Sequence, residues 1–246
     1  MQPYPVLETL FRHHLWANLQ LLELCSTLRD EQLQASAVGG YGSIIDTLQH
    51  MVRAERSYLS RISTGEPYRR PEDAPPLDFA EMAKWLRHSG EGLIEWAPKV
   101  QAADSVEIQW DNRGIVGPIQ MPKAVLLTQA INHATEHRAQ IMAILTQLGV
   151  EPPELDSWSY FETQELKAND DEGRNVQTTQ LSNPTSDFPK IGAPARRALN
   201  AAGYQHLEQL TQVSEKELLR LHGMGPKAIR ILREALAAQG AAFADK

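Results

Sequence analysis

Two histidines one helical turn apart, His133 and His137 in INHATEHRAQI (131–141), sit in a run that otherwise has the spacing of a buried helix face. Leu126, Ala130, His133, His137, Ile144 and Leu148 fall on one side at 3.6 residues per turn. A buried neutral imidazole needs partners for both ring nitrogens, and two adjacent ones double that demand. One divalent cation meets it, because imidazoles at i and i+4 can converge on an ion about 2.0–2.1 Å from each nitrogen. The plainer alternative is a pair of core histidines bonded to Asn18 or to water, and spacing alone leaves both open.

A third ligand has to come from another helix. His14 and Asn18 share the inner stripe of the first helix, Leu7, Phe11, His14, Asn18, Leu21, Cys25 and Leu28. His50, in LQHMVRAERSYL, lies opposite the aliphatic stripe of the second helix, on a side carrying Thr47, Ala54 and Ser57. Periodicity therefore prefers His14 to His50. Glu55 and Glu136 read as surface charges, Cys25 as an inert core thiol and Trp16 as a packing anchor.

The elements that must position these groups follow from caps and breaks. A first helix is expected over 5–29. Ser43 caps a second over 44–63, with the stripe Ile45, Leu48, Val52, Leu59 and Ile62. Asp78 caps a third over 79–97. Alternation on either side of DNRG predicts a short β-hairpin within 104–121. Pro122 opens a fourth long helix, 122–148, stopped by Gly149. A short helix near 157–167 follows, then the polar, aperiodic stretch 168–186, which reads as a linker. The fold class is all-α: a four-helix bundle over 1–167 with a short β-hairpin, then a small helical domain over 187–246.

Composition bounds the rest. The 246 residues carry a net charge of −7. Residues 187–246 hold nine Lys/Arg against six Asp/Glu, a local +3 that leaves −10 on the remainder and suggests two modules with different partners. No apolar run approaches the roughly 18–20 residues that span a bilayer, so no membrane partner is expected. The first residues lack a basic-then-apolar leader, which makes cytoplasmic residence the expectation. The single cysteine excludes an intrachain disulfide framework and a cysteine-only zinc site.

The stretches LWANLQLL (15–22), TLQHMVRAERSYL (47–59), INHATEHRAQI (131–141) and GVEPPELDSWSYF (149–161) resemble the DinB family of metal-binding four-helix bundles, over residues 5 to about 162. That family resembles the bacillithiol and mycothiol S-transferases and the thiol-dependent maleylpyruvate isomerase. The resemblance implies a metal triad of one histidine on the second helix and a His-x3-His on the fourth, here His50, His133 and His137, and so reverses the preference for His14. Three neutral imidazoles leave a position for water or substrate, the pattern of a catalytic site. Zinc or nickel suits all-nitrogen ligation, and a low-molecular-weight thiol is the implied cosubstrate, ionised to thiolate on binding. Asn18 and His14 become candidate catalytic groups that orient substrate or ligands.

SEKELLRLHGMGPKAIRILREAL (214–236) reads as helix, glycine turn, helix, and resembles a helix-hairpin-helix motif. With 188–210 it resembles the C-terminal domain of the RNA polymerase alpha subunit. Gly223 and Gly225 would let the backbone approach a phosphate, with Lys227 and Arg230 adding charge. A nucleic acid or a protein partner is open for this module, since its glycines would also serve a docking domain. Two functions therefore stand: a metal-dependent thiol S-transferase or related transferase or hydrolase acting on a small molecule, and a non-catalytic DNA- or polymerase-associated regulatory or stress protein. Whether the chain is an enzyme at all, and whether it forms a homodimer, the sequence leaves open.

Overall fold

The computed structural model describes residues 5–71, 73–112, 115–171, 186–189 and 191–244. The chain divides into two compact units, Met1–Tyr160 and Phe161–Lys246. The first is built from α1 (Val6–Cys25), α2 (Asp30–Leu33), α3 (Ile44–Thr64), α4 (Phe79–Trp96), the hairpin β1 (Ser105–Asn112) and β2 (Ile115–Pro122), α5 (Lys123–Gln147) and the start of α6 (Ser157–Asp171). The four long helices α1, α3, α4 and α5 form the expected bundle, with the hairpin inserted between its last two members.

Local chemistry sets the ends of these helices. Ser43 and Asp46 cap α3 reciprocally: Ser43 Oγ accepts from Asp46 N at 3.2 Å, and the Asp46 carboxylate accepts from Ser43 Oγ at 2.5 Å. Asp78 and Glu81 repeat the device on α4. Gly65, at φ +84°, stops α3 in the left-handed region. At the end of α5, Val150 N bonds Leu145 O and Gly149 N bonds Thr146 O, the paired closure that a left-handed Gly149 permits. The first helix ends at Cys25, short of the expected 29. Ser26 and Thr27 turn their hydroxyls onto the carbonyls of Glu23 and Leu24, and Arg29 is the N-cap of the one-turn α2.

The α4 helix packs closely against its neighbours at two glycines. A Cβ on Gly90 would lie 2.6 Å from Leu15 Cδ1, and one on Gly92 would lie 2.5 Å from Leu59 Cδ2. Glycine at these two places lets α4 approach α1 and α3 together. The interior holds Phe11, Leu21, Ile44, Ile62, Met82, Leu86, Leu93, Ile141, Ile144 and Leu145, all at 2% exposure or less. The hairpin is antiparallel, from Ser105 opposite Pro122 to Asn112 opposite Ile115, and β1 and β2 pair with no third strand among the described residues.

The second unit continues through α7 (Ala193–Ala201), the one-turn α8 (Glu215–Leu218) and α9 (Pro226–Ala238). Its own core includes Leu199, Leu207, Leu210, Leu218, Leu232 and Leu236. Leu219, just past the end of α8, is exposed. The expected linker is shortened: α6 runs to Asp171, so 168–171 are helical, and 172–185 lie outside the described residues. No helix among the described residues is long and apolar enough to cross a membrane.

Candidate metal centre

The α3 and α5 helices run antiparallel. His50 meets His133 near the middle, while Lys123 Nζ, at the start of α5, donates to the carbonyl of Ile62 at the end of α3. His50 Nε2 and His133 Nε2 are 2.8 Å apart. The ring of His137, one turn along α5, stands 4.4 Å from that of His133 and 5.0 Å from that of His50. One ligand nitrogen from each of the three lies within 4.8 Å of the other two, and no other such group of histidine, cysteine or carboxylate side chains occurs among the described residues.

His50 and His133 are half-buried and His137 is 8% exposed. The buried face of α5 is rotated from the one expected. Leu126, Ala130, His137 and Ile144 are buried as expected, but the face extends to Leu127, Ala134, Arg138, Ile141 and Leu145, and Leu148 is exposed. The histidine pair therefore lies on the flank of the core, and the site opens toward the surface.

The immediate surroundings hold each ring. Gln140 Oε1 accepts from His137 Nδ1 at 2.8 Å, which leaves His137 Nε2 with its lone pair. The Tyr41 ring stacks on His50 at 4.0 Å and stands edge-on to His137 at 5.4 Å. The Tyr58 ring stands edge-on to His133 at 5.8 Å. Burial, reinforced by the neighbouring His137 and His50 imidazoles, pushes the His133 imidazolium down to about 4. Burial also lowers His50, with His137 and Arg53 adding to it. Both rings are neutral at neutral pH, the form that offers a lone pair to a metal.

The donor set fits a divalent cation. A tetrahedral ion with bonds of about 2.0–2.1 Å holds its nitrogens roughly 3.3 Å apart, so small rotations of these rings would suffice. Three protein nitrogens would leave such an ion a further position for water or substrate.

His14 and Asn18 do not join the triad. They belong to a buried network across α1, α3 and α5. Glu55 Oε2 accepts from His14 Nε2 at 2.8 Å and from Asn18 Nδ2 at 2.9 Å. Asn18 Oδ1 accepts from the Arg138 guanidinium at 2.6 Å, and Arg138 also donates to Thr135 Oγ1 at 2.9 Å. Exposure is 1% at His14, 2% at Asn18, 3% at Glu55 and 6% at Arg138. Burial lowers Arg138 to about 10, against the opposing pull of Glu55, so it stays a cation at neutral pH. His14 Nδ1 and Glu55 Oε1 have no hydrogen-bond partner.

The expectation that Glu55 is a surface charge is thus overturned, while Glu136 is exposed as expected. The signal was in the spacing. Glu55 fills the gap in the stripe Leu48, Val52, Leu59, Ile62, and Arg138 fills the gap between Ala134 and Ile141. Opposite charges at core positions of two helices are tolerated only in partnership. Trp16 packs as expected, against Tyr160 and His13.

In the second unit, Gly223 has φ +95°, and a Cβ there would lie 2.7 Å from the carbonyl oxygen of Pro194. Both facts require glycine for the turn itself. Gly225 is the N-cap of α9 with open space around it, and Lys227 and Arg230 are exposed on that helix.

A helical bundle carrying an open three-histidine cluster that could hold a divalent cation is the class these features define. A profile of the DinB family matches residues 3–175, and the chain belongs to that family. Among solved structures it is similar to a DinB-like protein from Bacillus cereus ATCC 10987, at 19% identity over 58% of this chain and 90% of that one, with a TM-score of 0.42. No curated protein matches the chain.

Proposed function

We propose that the bundle is a metal-dependent enzyme of the thiol S-transferase or related transferase and hydrolase type, acting on a small molecule. The observation that carries this reading is the convergence of His50, His133 and His137 on the surface-facing flank of α3 and α5. A divalent cation held there, zinc or nickel by its nitrogen ligands, would supply the acidity that ionises a bound thiol or water. The protein does the rest. Gln140 holds His137 in the tautomer that ligates through Nε2. Tyr41 and Tyr58 wall the site on either side and limit the approach of an electrophile. His14 and Asn18, expected from the sequence as catalytic groups, are read here as positioning residues. They are sealed from solvent and act through Glu55 and Arg138 on the alignment of α3 with α5. The test is turnover of a low-molecular-weight thiol with an alkylating or epoxide electrophile by metal-loaded and metal-stripped protein. Conjugation that is no faster with metal than without it would refute the reading.

A second reading concerns residues 187–246. The resemblance to a helix-hairpin-helix domain, the open N-terminus of α9 at Gly225 and the local +3 charge support contact with a nucleic-acid backbone. It would make the module a tether that brings the bundle to DNA or polymerase.

A further inference from the structure

The two free edges of the hairpin are chemically unlike. Gln109 stands opposite Pro118, and Ser105 opposite Pro122. Proline has no N–H to donate, so neither pair can be one that exchanges hydrogen bonds across the strands. The exchanging pairs are the alternate ones, Val106 with Met121 and Ile108 with Ile119. The backbone groups of Ser105, Glu107 and Gln109 therefore point out of β1, and those of Pro118, Gln120 and Pro122 out of β2. On the β2 edge two of these three residues have no donor, the device by which sheets blunt an edge. The β1 edge keeps all three N–H groups and all three carbonyls. Ser105, Glu107 and Gln109 are exposed, and no hydrogen bond from outside the hairpin reaches their backbone among the described residues.

The open edge borders a cleft of about 620 Å³. Five consecutive residues, Ser105 to Gln109, line it, together with the end of α3 and the turn after it. Side chains alternate between the two faces of a strand, so an unbroken run of five means that the cleft follows the strand's edge. Arg61, Arg69 and Lys123 line it as cations, and Glu66 and Glu107 as acids. None of the five is in an ion pair among the described residues. Arg61 and Lys123 are held only by neutral oxygens, Ser57 Oγ and the Ile62 carbonyl. The cations outnumber the acids, so an acidic ligand is the complement.

We propose that the β1 edge is a docking site for an extended, acidic peptide segment of a partner protein, which adds to the hairpin as a third strand. Main-chain bonds to Ser105, Glu107 and Gln109 supply affinity, and side-chain alternation supplies specificity. Residues of the added strand opposite Val106 and Ile108 share the face on which those two pack against the core, and they call for apolar side chains. A second copy of the chain is a poorer occupant. Antiparallel pairing of all five residues with themselves sets Glu107 opposite Glu107, where like charges repel. No triad histidine lines the cleft, and docking there is independent of metal chemistry.

Panning a display library of random heptapeptides against the full chain tests it. The expected enrichment is of sequences that alternate apolar and polar residues and carry net negative charge. Gln109→Pro removes one outward N–H without changing the charge, and should weaken the enriched peptide on the order of tenfold. Gln109→Ala, which keeps that N–H, and Gln120→Pro, on the blunted edge, should bind it as wild type does. Arg69→Glu, at an exposed position, should weaken it severalfold. A measurement on the wild type alone guards against misfolded variants. The same peptide is synthesised with N-methyl groups on its odd or on its even residues. One pattern should abolish binding and the other preserve it, because only one edge of the peptide faces β1. No enriched sequence, enrichment of basic sequences, or equal tolerance of both methylation patterns would overturn the docking site. Concentration-dependent dimers that Gln109→Pro abolishes would make a second copy the occupant and overturn the acidic partner.

Discussion

The Nε2 atoms of His50 and His133 face each other at 2.8 Å, although each belongs to an imidazole that burial keeps neutral. Without a metal, one of them has to carry the proton and the other accept it, and the arrangement gains a single hydrogen bond. With a metal, both lone pairs and that of His137 are used at once. We predict about one divalent ion per chain, measured by elemental analysis of the purified protein. His50→Ala, His133→Ala and His137→Ala should each lose most of it, and His14→Ala should keep it. Metal retained in His133→Ala, or lost in His14→Ala, would show that the ligands are misassigned.

Asn18 links a buried cation to a buried carboxylate, accepting from Arg138 and donating to Glu55. Removing one partner of such a set leaves an uncompensated charge in the core. Glu55→Ala should therefore cost about 3–5 kcal/mol of stability in urea unfolding. Glu136→Ala, exposed on α5, should stay within about 0.5 kcal/mol of wild type. Equal effects at the two positions would mean that the network contributes nothing beyond an ordinary surface pair.

Cys25 is wholly buried, and burial pushes its thiol up to about 12. The unfolded thiol ionises near 8.5. A group whose folded value is raised contributes stability that is complete below the unfolded value and fades as pH climbs toward the folded one. Stability should thus decline from about pH 8.5 upward for wild type, and less steeply for Cys25→Ala. At pH 8, Ellman's reagent should label the native protein on the order of a thousandfold more slowly than the denatured one. Rapid native labelling would mark Cys25 as an accessible, ionisable group.

The module over 187–246 gives a prediction about salt. If α9 meets a phosphate backbone at Gly225, the full chain should retain duplex DNA weakly at low ionic strength, with affinity falling steeply as salt rises. Lys227→Glu and Arg230→Glu should weaken binding alike for unrelated sequences, since backbone contacts carry no base readout. Gel shifts across a salt series measure this. Binding that is absent at low salt, or insensitive to it, would leave protein docking as the role of this module.

The i, i+4 pairing of His133 and His137, the caps at Ser43 and Asp78, the hairpin and the four long helices were legible in the sequence, because each depends on residues within one or two turns of one another. The choice of His50 over His14 was not legible from periodicity. It came from family resemblance, and the structure agrees by seating His50 on the flank that faces α5. Glu55 and Arg138 show the other limit. Each interrupts an apolar stripe at a core position, so the sequence marked both places, but a lone charge there reads as a surface residue until its partner is known. That partnership joins Asn18 to Arg138 across 120 positions of chain. Only the packing of α1, α3 and α5 could decide it, because a buried charge is tolerable solely where the fold delivers its complement.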